Sequence, residues 1–154
     1  MKKLLYLFLV LPLIFSSCKK EGCTDEVATN YNSDAKEDDG SCTYDLIDTW
    51  QATEYILDNV DILSTSLGIG IDLRSDNTYE SVFIDPIDGD LWAYGQWYKD
   101  GGELYIIPDD GGSEVWHIDE LNGKRVELTL TQYNALPGEP TYTSGRAKMK
   151  RVDL

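Results

Sequence analysis

The chain has 154 residues, of which 28 are acidic and 13 basic, giving a formal charge of −15 and an isoelectric point near 4.2. A surface this acidic repels phosphate backbones, whose binding depends on Lys and Arg contacts, and so argues against a nucleic-acid partner. A single histidine excludes a multi-histidine zinc site, and three cysteines leave one over after any single disulfide.

The first element is a leader. Met1, Lys2 and Lys3 are followed by an apolar run from Leu4 to Phe15 that closes on Ser16-Ser17-Cys18. A charged start, a short apolar stretch and small residues before a cleavage point define an export signal. About twelve apolar residues fall short of the roughly twenty that a spanning helix needs. Phe15-Ser16-Ser17-Cys18 resembles the lipobox, although Phe15 stands where Leu is usual. The resemblance implies acylation of the Cys18 sulfur and cleavage on its amino side, which also accounts for the odd thiol. The competing reading is a plain secretory signal ending near Ser17, with Cys18 an ordinary thiol. Without residues 1–17 the chain keeps 11 basic and 28 acidic residues, a formal charge of −17. Anionic headgroups would repel it, so membrane attachment has to come from the acyl chains on Cys18. The expected location is the cell envelope, anchored by lipid at the outer membrane on its periplasmic or surface face.

Residues 18–44 form an acidic segment with few apolar side chains beyond Val27, Ala28, Tyr31 and Ala35. It cannot build a core alone. Cys23 and Cys42 bracket it, and a disulfide between them would restrict the unfolded loop by roughly 3 kcal/mol. Asp34, Glu37, Asp38 and Asp39 are carboxylates of the type that calcium prefers, but their spacing does not follow the EF-hand loop. The simpler expectation is a solvated acidic loop with no metal. Asp85, Asp88 and Asp90 repeat the pattern more weakly.

From residue 45 to 154 the pattern changes to period two. Val126, Leu128 and Leu130 fall on one face and Glu127, Thr129 and Thr131 on the other, as in a strand between a core and water. Comparable stretches at 48–55, 69–74, 78–84, 91–98, 103–107, 114–119 and 146–152 bring the expected strands to eight. Between them lie Ser75-Asp76-Asn77, Asp85 to Asp90, Lys99 to Gly102, Pro108 to Gly112 and Asn122-Gly123-Lys124, turn chemistry that joins antiparallel neighbours. Residues 54–67 read equally well as a short helix or a strand extension, and 132–144 as an exposed loop or hairpin tip. The expected fold is all-β, an antiparallel up-and-down barrel of about eight strands whose closure removes exposed edges. A two-sheet β-sandwich is the runner-up.

Asp48-Thr49-Trp50, Leu73 to Tyr79, Tyr94-Gly95-Gln96-Trp97 and Trp116-His117-Ile118 to Leu121, in this order, resemble the small lipocalin-like domains of Bacteroidota lipoproteins. The match departs at Asp48, where Gly is usual two residues before the tryptophan. A second resemblance covers Gly22-Cys23-Thr24-Asp25, Asn30-Tyr31-Asn32 and Asp38 to Cys42 with Tyr44. It is similar to a disulfide-closed motif of exported Bacteroidota proteins, and it implies a Cys23–Cys42 bond without implying an activity.

No nucleophile elbow, phosphate loop or paired-cysteine redox motif is present, and His117, between Trp116 and Ile118, reads as a wall residue of the barrel. No catalytic residue and no cofactor are expected. Trp50 and Trp97 read as barrel filling. Trp92 and Tyr94 lie on the strand face opposite Trp97 and, with Trp116, are the candidate ligand-binding residues. Two functions follow as expectations: a non-enzymatic binding module for a small apolar molecule or an envelope partner, or a structural lipoprotein with a packed interior. An internal cavity of about 300 Å3 or more would separate them.

Overall fold

The computed structural model describes residues 19–152, so the leader and Cys18 lie outside the described residues. The chain forms two compact units, one ending at Thr43 and the other beginning at Tyr44.

The first unit contains little regular structure among its described residues. Its single bridge pairs Glu21 with Glu37. The Cys23–Cys42 disulfide is formed, with Cα atoms 4.8 Å apart, and Cys23 and Ala28 are buried. Polar groups complete the packing: Asn30 Nδ2 donates to the Ser41 carbonyl at 2.6 Å, while its Oδ1 accepts from Thr43 N at 2.8 Å. Covalent closure and side chain to backbone bonds hold a segment too polar for a core.

The second unit is a barrel. Its strands are β1 (Asp48–Leu57), β2 (Val60–Asp61), β3 (Gly68–Leu73), β4 (Thr78–Ile84), β5 (Leu91–Asp100), β6 (Glu103–Pro108), β7 (Ser113–Leu121), β8 (Arg125–Asn134) and β9 (Gly145–Arg151). Each of β3 to β9 pairs antiparallel with the strand before it in the wall. β1 then pairs with β9, from Trp50 opposite Arg151 to Leu57 opposite Gly145. The wall therefore has eight strands, with β2 a two-residue appendage on β1. A sandwich would need two facing sheets; here one sheet closes on itself.

The expected alternation appears in the burial. Val126, Leu128 and Leu130 are buried, as are Trp50, Leu73, Tyr79, Trp97, Leu104, Ile106, Ala147 and Met149 on the other strands. The ambiguous stretch divides in two. β1 runs to Leu57, then Asp58 and Asn59 both take positive φ in a tight turn into β2, and a single 3-10 turn follows at Ile62–Thr65. The expected long loop after residue 132 starts instead as strand, since β8 continues to Asn134.

Gly95 shows how tightly the wall is built. A Cβ there would overlap the Ile107 carbonyl oxygen and lie 2.9 Å from Tyr79 Cε1, because the Tyr79 ring covers the glycine from inside the barrel. We predict that Gly95→Ala lowers stability by about 1–3 kcal/mol through overpacking; urea unfolding followed by tryptophan fluorescence measures it, and an unchanged midpoint would contradict this account.

Candidate functional site

One end of the barrel is plugged. Trp50 is 1% exposed and its Nε1–H donates to the Leu46 carbonyl at 2.8 Å, placing Leu46, also 1% exposed, across the opening. The Arg151 guanidinium lies 5.2 Å from the centroid of the Trp50 ring. Arg151 Nε is 2.9 Å from Asp48 Oδ2, an ion pair by distance, but without hydrogen-bond alignment. Nearby, Trp97 Nε1–H donates to the Arg74 carbonyl at 3.0 Å.

The other end is made differently. It carries the connections after β1, β4, β6 and β8, and the apolar groups there are half-buried: Ile62, Leu63, Ile69, Tyr133 and Tyr142 pack against the core without being sealed by it. Asp58 ties two of these connections together. Its Oδ1 accepts from the backbone N–H of Thr143 at 3.0 Å and of Ser144 at 2.9 Å, and from both hydroxyls. Those backbone bonds, Thr143 first, hold its carboxyl below the usual range.

Between the two ends lies a cavity of about 180 Å3. Its walls are apolar, with Ile71, Leu104 and Met149 among them, and its polar groups are few: Tyr55, Tyr79, Ser81, Glu114 and the Trp116 indole. The cavity is smaller than the roughly 300 Å3 of a pocket for drug-sized ligands. It is nevertheless larger than the roughly 150 Å3 apolar void that admits benzene. The interior is therefore neither fully packed nor roomy enough for a large ligand.

Two β-bulges decide which side chains turn toward this space or pack beside it. On β1 the register against β9 slips between Ala52 and Glu54, so Trp50 and Ala52 point inward before the slip and Tyr55 and Leu57 after it. On β8 the partner of Val115 is Gln132 while the partner of Trp116 is Leu130, leaving Thr131 as the extra residue. Past it Tyr133 stands opposite Glu114, whose side chain lines the cavity. Strict alternation from Val126 would have put Tyr133 outside.

Glu114 is the chemical centre of the open end. Its Oε2 accepts the Trp116 Nε1–H at 2.7 Å. Burial pushes the Glu114 carboxyl above the usual range, and the indole hydrogen bond offsets part of that rise. Burial also raises Tyr55 well above the ordinary phenol range, with the Glu114 charge as the next cause, and Tyr79 and Tyr133 rise in the same way. The Tyr55 and Trp116 ring centroids are 5.8 Å apart, and Tyr133 meets Tyr142 edge-on at 5.1 Å.

The three aromatics expected to bind a ligand are not together. Trp116 is 3% exposed and lines the cavity, whereas Trp92 and Tyr94 are about half exposed on the outer face of β5. Tyr55, Tyr79, Glu114 and Tyr133, absent from the sequence-based candidates, are the residues that join Trp116. For Tyr55 and Tyr133 the signal would have been the two bulges, which the alternation pattern hides, whereas Glu114 shares the strand parity of Trp116. His117 faces outward, with Nδ1 2.9 Å from Glu103 Oε1. Among the acidic candidates, Asp34 is paired with Lys20 at 2.8 Å and Glu37 with Lys19 at 3.2 Å. Asp38 and Asp39 accept backbone N–H groups of Gly40 and Ser41, and Asp85 accepts those of Ile87 and Asp88. Among the described residues no three His, Cys, Asp or Glu side chains stand together as a metal site.

No protein-family model matches the chain, and no curated protein is significantly similar to it. Similar solved structures include two from Bacteroides. One, an uncharacterized protein from Bacteroides eggerthii, is 14% identical, with 70% of this chain and 100% of that chain covered at a TM-score of 0.48. Another, a lipocalin-like protein from Bacteroides uniformis, is 13% identical, with 70% of this chain and 98% of that chain covered at the same TM-score.

The raised Glu114 titration has a consequence for stability. A carboxyl whose pKa is higher in the folded than in the unfolded state favours folding while protonated, and that contribution is lost as pH rises from the ordinary carboxylate range through the folded value. We predict that Glu114→Gln gains stability relative to the parent between about pH 4 and 7, with the gap widening as pH rises; urea midpoints across that range measure it, and a constant gap would contradict the burial of the charge.

Proposed function

We propose that the protein is a lipid-anchored, lipocalin-like binding module that takes a small, mainly apolar molecule, of the size of one ring or a short chain, into its barrel. The observation that carries this reading is the 180 Å3 cavity behind a half-buried end, with apolar walls and a few polar groups among them. That composition is what small-molecule pockets have in common: surface to desolvate against, and a handful of groups to fix orientation. A barrel evolved only as a packed structural unit would fill such a space with larger side chains, since each unfilled methyl-sized volume costs about 1 kcal/mol. Ala93 and Ala147 both line it with the smallest apolar group available.

The anchor is the second part of the proposal. The leader ending in Ser16-Ser17-Cys18 supports acylation of Cys18 and residence in the cell envelope. The strong negative charge leaves lipid as the physical means of holding the chain at a membrane.

Two experiments test these parts. Toluene, titrated into the mature protein and followed by NMR shifts of Ala93, Ala147 and Met149 methyl groups, is expected to saturate; at a hundredfold excess over Kd it would stabilise the fold by about 2.7 kcal/mol. Ala93→Leu should keep the fold and lose most of this binding, and a parent protein indifferent to toluene would sink the cavity reading. For the anchor, the native chain should fractionate with membranes and carry acyl mass on its N-terminal cysteine, while Cys18→Ala should lose both; a free thiol in the membrane-bound native chain overturns it.

A further inference from the structure

The mouth of the cavity is electrically one-sided. Glu114 Oε2 is taken by the Trp116 indole, and among the described residues no ion pair and no other hydrogen bond reaches this carboxylate. The groups that face it come from several elements: Tyr55 on β1, Tyr79 on β4, Tyr133 on β8 opposite it in register, and Tyr142 against Tyr133. Asp109 and Asp110 on the β6–β7 connection and Glu139 in the tip beyond β8 add negative charge that acts on the Tyr79 and Tyr133 phenols. Every one of these is neutral or negative. The arginines and lysines that form ion pairs among the described residues do so elsewhere, Arg151 with Asp48 at the plugged end and Arg146 with Glu54 on the outer wall among them.

A buried carboxylate without a cation is costly, and either a proton or a positively charged guest removes the cost. An anion is repelled, and a purely apolar guest leaves Glu114 as it was. An ammonium group supplies the missing charge and three donors. It also comes beside aromatic rings, because Trp116 donates its indole N–H to the carboxylate, Tyr55 packs against Trp116 and Tyr133 stands opposite Glu114 in register, and π systems attract cations most strongly where water is excluded. The apolar remainder of the cavity then has room for one ring or a short chain.

We propose that the cavity selects small primary amines, with Glu114 as counter-ion to the ammonium group and the rings of Tyr55, Trp116 and Tyr133 around it. This rests on the cavity being a ligand site. It narrows that reading from apolar molecules in general to one charge class.

The test compares four probes of one ring each, benzylamine, toluene, benzyl alcohol and benzoate, binding to the mature, disulfide-intact protein at pH 8 by calorimetry and NMR. Benzylamine is expected to bind at least tenfold tighter than toluene or benzyl alcohol, with benzoate weakest. Glu114→Gln should remove the amine preference. His117→Ala, on the outer face of the same strand, should retain the preference. Toluene binding without any preference for benzylamine, or a preference that survives Glu114→Gln, overturns the amine assignment and leaves the cavity reading standing. Failure of all four probes overturns both. Because the four-probe comparison is complete on the parent protein, a poorly folding Glu114 variant does not remove the test.

Discussion

Closure of the sheet through the β1–β9 ladder is the constraint on which everything else depends. With Trp50 opposite Arg151 and Leu57 opposite Gly145, β1 and β9 pair along their length apart from the bulge, and the sheet has no free long edge. An eight-stranded ring also fixes the width of the interior, enough for side chains and one small guest. The tryptophan plug at one end consumes part of that length. What is left, about 180 Å3, depends on both the ring width and the small side chains that line it.

Within that space the identity of the lining is set by departures from regularity. A perfectly alternating β1 would have turned Tyr55 outward with Thr53, and a perfectly alternating β8 would have done the same to Tyr133. Bulges at the open end reverse both. The two strands carrying them lie on either side of β9 in the wall, and β8 also pairs with β7, which brings Glu114 and Trp116. Local irregularity thus places four chemically active side chains together where the repeating pattern would have placed two.

The period-two pattern made the wall legible from sequence: β4 appears at Thr78–Ile84, the stretch read from its side chains, and the other wall strands differ only near their ends. The turns were legible for the same reason, since Asn and Gly at positive φ advertise themselves, as at Asn77 and Gly101. Outward placement of Trp92 and Tyr94 against inward Trp97 also follows from parity alone. The site was legible only at Trp116. Glu114 reads as one more acid among 28, and nothing in the composition around Thr53 or Thr131 marks an inserted residue. Bulges arise from how two strands with unequal residue counts share one ladder, so they belong to pairs of strands and are invisible in either alone. Residues 54–67 were ambiguous for a related reason: Ile56, Val60, Leu63 and Leu67 keep helical spacing, but Asp58 and Asn59 accept the left-handed turn that splits the run.

The strand order has a kinetic side. Seven of the eight ladders in the wall join strands that follow one another in the chain, apart from the small β2 appendage, and only β1 with β9 links residues nearly a hundred positions apart. The hairpins can zip in sequence, each closing a short loop at modest entropic expense. The last ladder cannot form until both ends of the ribbon have curled far enough to meet. Until then β1 and β9 are bare edges, able to pair with a neighbouring chain. The slow, vulnerable moment in the life of this barrel is therefore the sealing of its seam, and sequence changes that flatten the ribbon or loosen the tryptophan at the seam's foot would be felt in yield and solubility before they are felt in the finished fold.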